Sequence, residues 1–321
     1  MIYISIVLLS FLILSKAIKI GRFTSLIDYP SKLKIHNSPT PVIGGLIIFI
    51  NLLCVLFFYK YIGHKFLDYF FLSYIFFFFL IGLLDDVFRL KSIIRIILVV
   101  FISSFFIFIQ EVFVIEKVFF SISNNKFYFG KFKFIVTLIC ILLLFIAFNL
   151  ADGINCLIIS FCICAILIYN FVIFKSQNLD IVSVAILLSL IVMFYYNYRN
   201  KIFLGNSGAS LLSGYFIYLL ISINSVSNVD VFQIISAPLI MGIDMIRLFV
   251  ERIINKKNIF DRDNNHFHHI LLKNFKLKKS ISIYMFLSFF PIIFSTLFKM
   301  QILFFILLSI AIYFILIKKF K

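Results

Sequence analysis

The sequence predicts an all-α, polytopic integral membrane protein with ten to eleven transmembrane helices. Three observations lead there. The 321 residues are 63% hydrophobic with a mean hydropathy of +1.15, and only 13% are charged, too few to solvate a globular surface of this size. Apolar runs of bilayer length recur along the chain. Lys and Arg, 30 against 13 acids, are distributed unevenly among the connections between those runs, as topology signals are.

The runs fall at about 1–20, 42–60, 66–84, 92–110, 134–150, 154–174, 180–197, 208–226, 231–251, 281–297 and 301–317. The first lacks a basic leader and an A-x-A cleavage site, so it reads as a retained helix and not as a signal peptide. The second follows the polar loop 21–41, and the third ends at Asp85 and Asp86. The fifth and sixth are separated only by the short polar turn in "FNLADGIN". The eighth is introduced by "FLGNSG". The last two are split by "FKM" alone, which leaves a re-entrant pair as an alternative. The longest polar insertion, 252–280, is too short for a soluble domain, so residues 1–321 read as a single membrane domain carrying a His-containing loop. The five cysteines lie in or beside apolar runs without CxxC spacing and read as small core residues.

Charge orients these helices. With the flanking helix ends counted, 22 of the 30 Lys and Arg fall on the side holding 21–41, 85–91, 149–153, 198–207, 252–280 and the C-terminus; 8 fall on the other. That side is therefore expected to be cytoplasmic, with the N-terminus outside. A formal charge of +17 is accounted for in this way, and nucleic acid is not expected as a partner. Five polar segments lie on that side: "DYPSKLKIHNSPTPVIGG", "GLLDD", "FNLADGIN", "KIFLGNSG" and "DRDNNHFHH". One polar site built from helix ends at one membrane surface is the simplest reading. Transporter sites lie nearer the bilayer midplane, often within visible repeats, and no repeat is evident here.

Each segment offers particular chemistry. Asp85 and Asp86 face the negative end of their own helix dipole, which calls for a cation or basic partner; Arg89 and Lys91 are the nearby bases. Asn149, Asp152 and Asn155 stand between two apolar runs, where polar groups are costly unless used, and Gly153 permits the break. "FLGNSG" is a glycine-bearing helix start whose N–H groups suit an anion. His266, His268 and His269 are spaced so that a continuous helix would point them to different faces. That disfavours a zinc site made of these three and suits phosphate contacts instead. Acids beside an anion-friendly turn and a His/Lys loop suggest phosphoryl transfer assisted by a divalent cation, with a lipid among the substrates.

These five motifs, in this order over about residues 20 to 275, resemble the polyprenyl-phosphate N-acetylhexosamine-1-phosphate transferases (glycosyltransferase family 4). The His-x-His-His pattern is nearer the WecA-like branch than the MraY branch of peptidoglycan synthesis. The resemblance implies transfer of a sugar-1-phosphate from a UDP-amino sugar to undecaprenyl phosphate, with release of UMP, at the bacterial inner membrane. It implies Mg²⁺, with Mn²⁺ as an alternative, and allows a homodimer. Asp85, Asp86 and Asp152 would then be catalytic, and Asn206, Asn149 and Asp152 would hold the metal. Asn155, Phe203, His266, His268 and His269 would bind the nucleotide sugar. Lys32, Thr40, Asp244, Arg252 and Asp263 complete the candidate set. One departure stands out: the family's metal-binding Asp is here Asn206, a neutral donor that would weaken metal binding. The competing readings are an MraY-type activity, a non-catalytic homologue, and a lipid or nucleotide transporter.

Overall fold

The computed structural model describes residues 2–30, 38–62, 69–110, 113–175, 179–226, 228–258 and 264–320. Among them are thirteen α-helices: α1 (Ile2–Ser15), α2 (Ala17–Phe23), α3 (Gly44–Ile62), α4 (Tyr69–Phe88), α5 (Ser92–Ile109), α6 (Lys133–Ala151), α7 (Leu157–Leu167), α8 (Ile181–Tyr198), α9 (Gly205–Val226), α10 (Val231–Ile254), α11 (Phe267–Asn274), α12 (Leu277–Phe298) and α13 (Ile302–Phe320). Two small antiparallel pairs accompany them, β1 (Ile27–Asp28) with β2 (Thr40–Pro41), and β3 (Lys117–Phe120) with β4 (Asn125–Tyr128). The protein is an all-α polytopic membrane protein, and each of the eleven apolar runs is helical.

Among the described residues, eight helices are long and apolar enough to cross a bilayer, or nine if α1 and α2 form one bent span. The bend between them is 69° at Lys16. α3 (Gly44–Ile62) is 19 residues long, and α7 continues into a π-helical stretch, Ile168–Ile173, which widens the helix. α12 and α13 are each long enough to span, so "FKM" is a tight link between two full helices. Lys299 makes the turn in the left-handed region (φ 52°), and Ser309 Oγ donates to Leu287 O across the pair at 2.7 Å.

Two compact, sequence-discontinuous units are present. One comprises 1–102, 158–170 and 176–215, the other 103–157, 171–175 and 216–321. In the first, α3 packs on α1, α4 and α8. A fully buried amide fixes that packing: Asn51 Nδ2 donates to Ser10 Oγ at 2.8 Å and to Ser189 Oγ at 2.7 Å. Polar bonds of this kind hold helices together where lipid removes the hydrophobic drive between them. In the second, α10 packs on α6, α12 and α13, and α12 on α11 and α13. The polar insertion 252–280 is not all loop, since it contains α11.

Candidate active site

The candidate residues divide between the two units. In the first, Asp86 lies in the last turn of α4, and its carboxylate is fully engaged with the start of α9. Oδ1 accepts from the Asn206 N–H and Oδ2 from the Ser207 N–H, each at 2.9 Å. The anion that the helix start was expected to suit is the protein's own carboxylate, which occupies these two N–H groups. Asp86, poorly placed on its own helix dipole, gains the positive end of another. Such a junction demands close approach. A Cβ on Gly82 would stand 2.2 Å from Asn206 O, and one on Gly45 2.4 Å from Gly208 N. Gly205 adopts φ +79°, where a side chain would be strained and would meet Val42 Cγ1 at 2.5 Å.

Strand-like bonds brace the same turn. Phe203 N–H donates to Pro41 O at 2.9 Å, while Gly44 N–H donates to Phe203 O at 3.1 Å. Phe203 and Asn206 are half-buried. Thr40 is buried and donates to Ser38 O at 3.0 Å, so it braces the first loop. Asp85, only 4% exposed, pairs with Arg95 Nη1 at 2.8 Å. Arg89 and Lys91, the expected balancing bases, are exposed. Arg95 lies on the next helix, and no local spacing announced it. The adjacent carboxylates thus do different things: Asp86 fastens a helix start, and Asp85 forms an ion pair.

In the second unit, Asn149 is in the last turn of α6, where its Nδ2 donates to Phe145 O at 2.8 Å. Its Oδ1 is buried without a hydrogen-bond partner among the described residues. Asp152 caps the helix, its N–H donating to Phe148 O at 3.2 Å, and Asn155 follows, half-buried, in the turn. Gly153 is the point of contact with the histidines: an added Cβ would meet His268 Nε2 at 2.2 Å and His269 Nε2 at 2.9 Å. The sequence offered Gly153 as a chain break, but its decisive property is its lack of bulk.

The histidines do not point to different faces. His266 precedes α11 in an extended conformation (φ −59°, ψ 147°), so helical spacing does not apply to it. The His266 and His268 rings lie nearly parallel at 5.3 Å, and His269 stands 4.4 Å from His268. Asp244 organises the group. Its carboxylate accepts from the Tyr313 hydroxyl at 2.8 Å, Arg247 Nη2 at 2.8 Å and the Phe267 N–H at 3.1 and 3.2 Å. It lies 3.0 Å from His266 Nδ1. Arg247 also reaches Asn265 O at 2.7 Å and Glu251 Oε1 at 2.8 Å. Arg247 was recoverable from its i, i+3 spacing to Asp244; Tyr313, 69 positions away, was not. Arg252 is buried near the end of α10. Lys32 and Asp263 lie outside the described residues.

His268 is 1% exposed. Burial, then the neighbouring His269 and His266, push its imidazolium well below the ordinary histidine range. It is a neutral ring whose buried Nε2 has no protein partner among the described residues.

Comparison with known proteins points to the same family. The profile of glycosyl transferase family 4 matches residues 69–224. A probable undecaprenyl-phosphate N-acetylglucosaminyl 1-phosphate transferase of Bacillus subtilis is 27% identical over 265 residues, covering 80% of this chain and 71% of that protein. The undecaprenyl-phosphate alpha-N-acetylglucosaminyl 1-phosphate transferase of Salmonella typhi is 26% identical over 82% of this chain and 72% of its own length. Its Escherichia coli K12 counterpart is 25% identical over 84% and 75%.

Over residues 69–224, nearly half of its length, the chain is similar to glycosyl transferase family 4. The matched family region contains Asp85, Asp86, Asn149, Asp152, Asn155, Phe203 and Asn206, whereas the histidine segment and Tyr313 lie beyond it.

The residues present fit a hard divalent cation. No group of three or more His, Cys, Asp and Glu among the described residues is disposed to hold a metal. Mg²⁺ does not need one, since it keeps several waters and uses one or two carboxylates plus substrate phosphate. In the second unit the unpartnered Asn149 Oδ1 and the carboxylate of Asp152, three residues on, are oxygen donors of the right kind. A buried carbonyl oxygen without a donor is costly, and a cation would satisfy it.

Proposed function

We propose that this protein is a family 4 enzyme that transfers N-acetylhexosamine-1-phosphate from a UDP-sugar to undecaprenyl phosphate and releases UMP. The observation that carries the reading is its similarity, over 80% or more of the chain, to relatives named for this transfer. The separately built acid cluster and histidine cluster supply suitable chemistry. The lysine distribution supports a site on the cytoplasmic face of a bacterial inner membrane, with the N-terminus outside. The product would start a lipid-linked cell-envelope polysaccharide.

An oxygen of the lipid phosphate forms a bond to the sugar-bearing phosphorus. The bond from that phosphorus to the bridging oxygen breaks, and UMP leaves with that oxygen. The lipid phosphate, with a second pKa of about 6, is largely dianionic at neutral pH and needs no base. A bound Mg²⁺ would screen the two phosphates from one another. In the first unit, Asp86 holds the 205–208 turn and so sets Phe203 and Asn206; Phe203 offers an aromatic face to the uracil. Asp85, held by Arg95, is a positioning and electrostatic group. In the second unit, Asn149 and Asp152 would hold the cation, with Asn155 near the nucleotide. Asp244 fixes His266, and the neutral His268 offers a hydrogen bond to diphosphate or sugar.

The test is direct. Purified protein, undecaprenyl phosphate and Mg²⁺ are incubated with a panel of UDP-sugars, and UMP is measured. Release with a UDP-N-acetylhexosamine supports the proposal; no UMP from any donor refutes it. Asn206 favours one second reading, a degenerate homologue. Activity absent at every metal concentration but restored by Asn206→Asp would establish it.

A further inference from the structure

The β3–β4 hairpin is not needed for the chemistry above, yet it is firmly built. Its strands pair Lys117 with Tyr128 and Phe119 with Lys126 on one face, and Val118 with Phe127 and Phe120 with Asn125 on the other. The second face is partly covered, since Phe120 packs on Phe232 with ring centroids 5.8 Å apart. Asp230, buried, accepts from the Ser121 N–H at 3.1 Å and from the Ser121 hydroxyl while also capping α10 through the Phe232 N–H. Asn224 Nδ2 donates to Lys117 O at 2.8 Å. The hairpin is thus bonded to the end of α9 and the start of α10.

Its position relative to the bilayer follows from connectivity. The membrane-crossing stretch Gly130–Ala151 begins two residues after β4 ends. The hairpin therefore lies at the membrane surface. There it exposes large apolar and aromatic side chains: Tyr128 64%, Phe127 57%, Phe132 67% and Ile122 48%. Around them stand Lys117, Lys126, Lys131 and Lys133. The segment 113–133 holds one acid, Glu116, which is paired with Lys133 at 2.9 Å. Aromatic rings beside lysines, with little opposing charge, suit a headgroup layer bearing negative charge. A water-facing hairpin has no reason to leave four such side chains uncovered.

We propose that the hairpin 117–128 and the turn 130–132 form an interfacial contact that binds anionic phospholipid headgroups, with Lys126 and Lys131 as the charge-reading residues. The contact has a mechanical consequence. Helix α6 is 19 residues long, about 28 Å at 1.5 Å per residue, and carries Asn149 and Asp152 at its other end. A grip on lipid at one end sets the depth of those residues at the other.

The protein contains no tryptophan, so Tyr128→Trp introduces a sole reporter. The variant is reconstituted in lipid vesicles containing phosphatidylcholine and phosphatidylglycerol, with one or the other lipid brominated in its acyl chains. Both brominated lipids are expected to quench the introduced indole, phosphatidylglycerol more strongly. High salt or the Lys126→Gln/Lys131→Gln background should abolish that excess, at about fivefold in lipid preference per lysine. Emission as in water with no quenching by either lipid would overturn the contact. Equal quenching by both would overturn the anionic recognition. Phe132→Trp provides a second reporter if Tyr128→Trp lowers the unfolding temperature. UMP release is not a readout of this experiment, so its outcome is independent of the proposed transfer.

Discussion

Asp86 and Asn206, 120 residues apart in sequence, are joined by a 2.9 Å hydrogen bond from the Asn206 backbone N–H to a carboxylate oxygen of Asp86. With the matching bond to Ser207, it makes the glycine-rich turn and the acidic helix end one structural object. The acid here builds the site before it can serve in it.

Asp86→Asn keeps one acceptor oxygen and loses the charge that faces the α9 N-terminus. A loss of about 1–2 kcal/mol is expected, by analogy with removal of a helix cap and its dipole interaction. Thermal unfolding in detergent measures it. Asp86→Ala, which removes both acceptors, should be lower still.

Asn206→Asp adds a negative charge to the turn. The Mg²⁺ concentration giving half-maximal UMP release should fall, without loss of maximal activity. An unchanged Mg²⁺ dependence would remove residue 206 from the metal's surroundings.

Asp85→Asn should lower activity without moving the pH profile of kcat/KM, because a carboxylate engaged by Arg95 at 2.8 Å does not act as the base. A profile that loses its acidic limb would return Asp85 to that role. Stability should drop by about 1–3 kcal/mol, less than for a fully buried pair, since the Arg95 side chain is 20% exposed.

Gly153→Ala tests the contact between the 152–155 turn and the histidines. Its Cβ would overlap His268 Nε2, so the turn or the rings must shift. A drop in kcat/KM of about tenfold or more is expected, with a much smaller change in unfolding temperature.

His268 gives a pH dependence whose sign is fixed. Its folded-state pKa is depressed, so below about pH 6.5 the unfolded chain takes up a proton that the folded chain refuses. Stability is full above that pH and falls as the pH drops through it. Unfolding measured from about pH 8 to 5 should show this decline, and His268→Gln should flatten it.

The sequence made much of this protein legible. Every apolar run became a helix, because bilayer-length hydrophobicity leaves the backbone no other economical way to satisfy its polar groups. The candidate acids, amides and histidines stood out for the opposite reason, as polar groups interrupting apolar stretches. Periodicity misled at His266, where an extended residue before α11 voided the helical spacing and let three rings gather.

By itself, then, the sequence determined the class of fold, the chemistry on offer and the family resemblance, all of which depend on residue type and local order. Partners remained for the tertiary structure to decide. It set Arg95 against Asp85, gave the α9 N–H groups to Asp86, brought Tyr313 to Asp244 and placed Gly153 under the histidines. The reason is physical: hydrogen bonds and ion pairs are specific at about 3 Å, and helix packing sets which residues meet at that range.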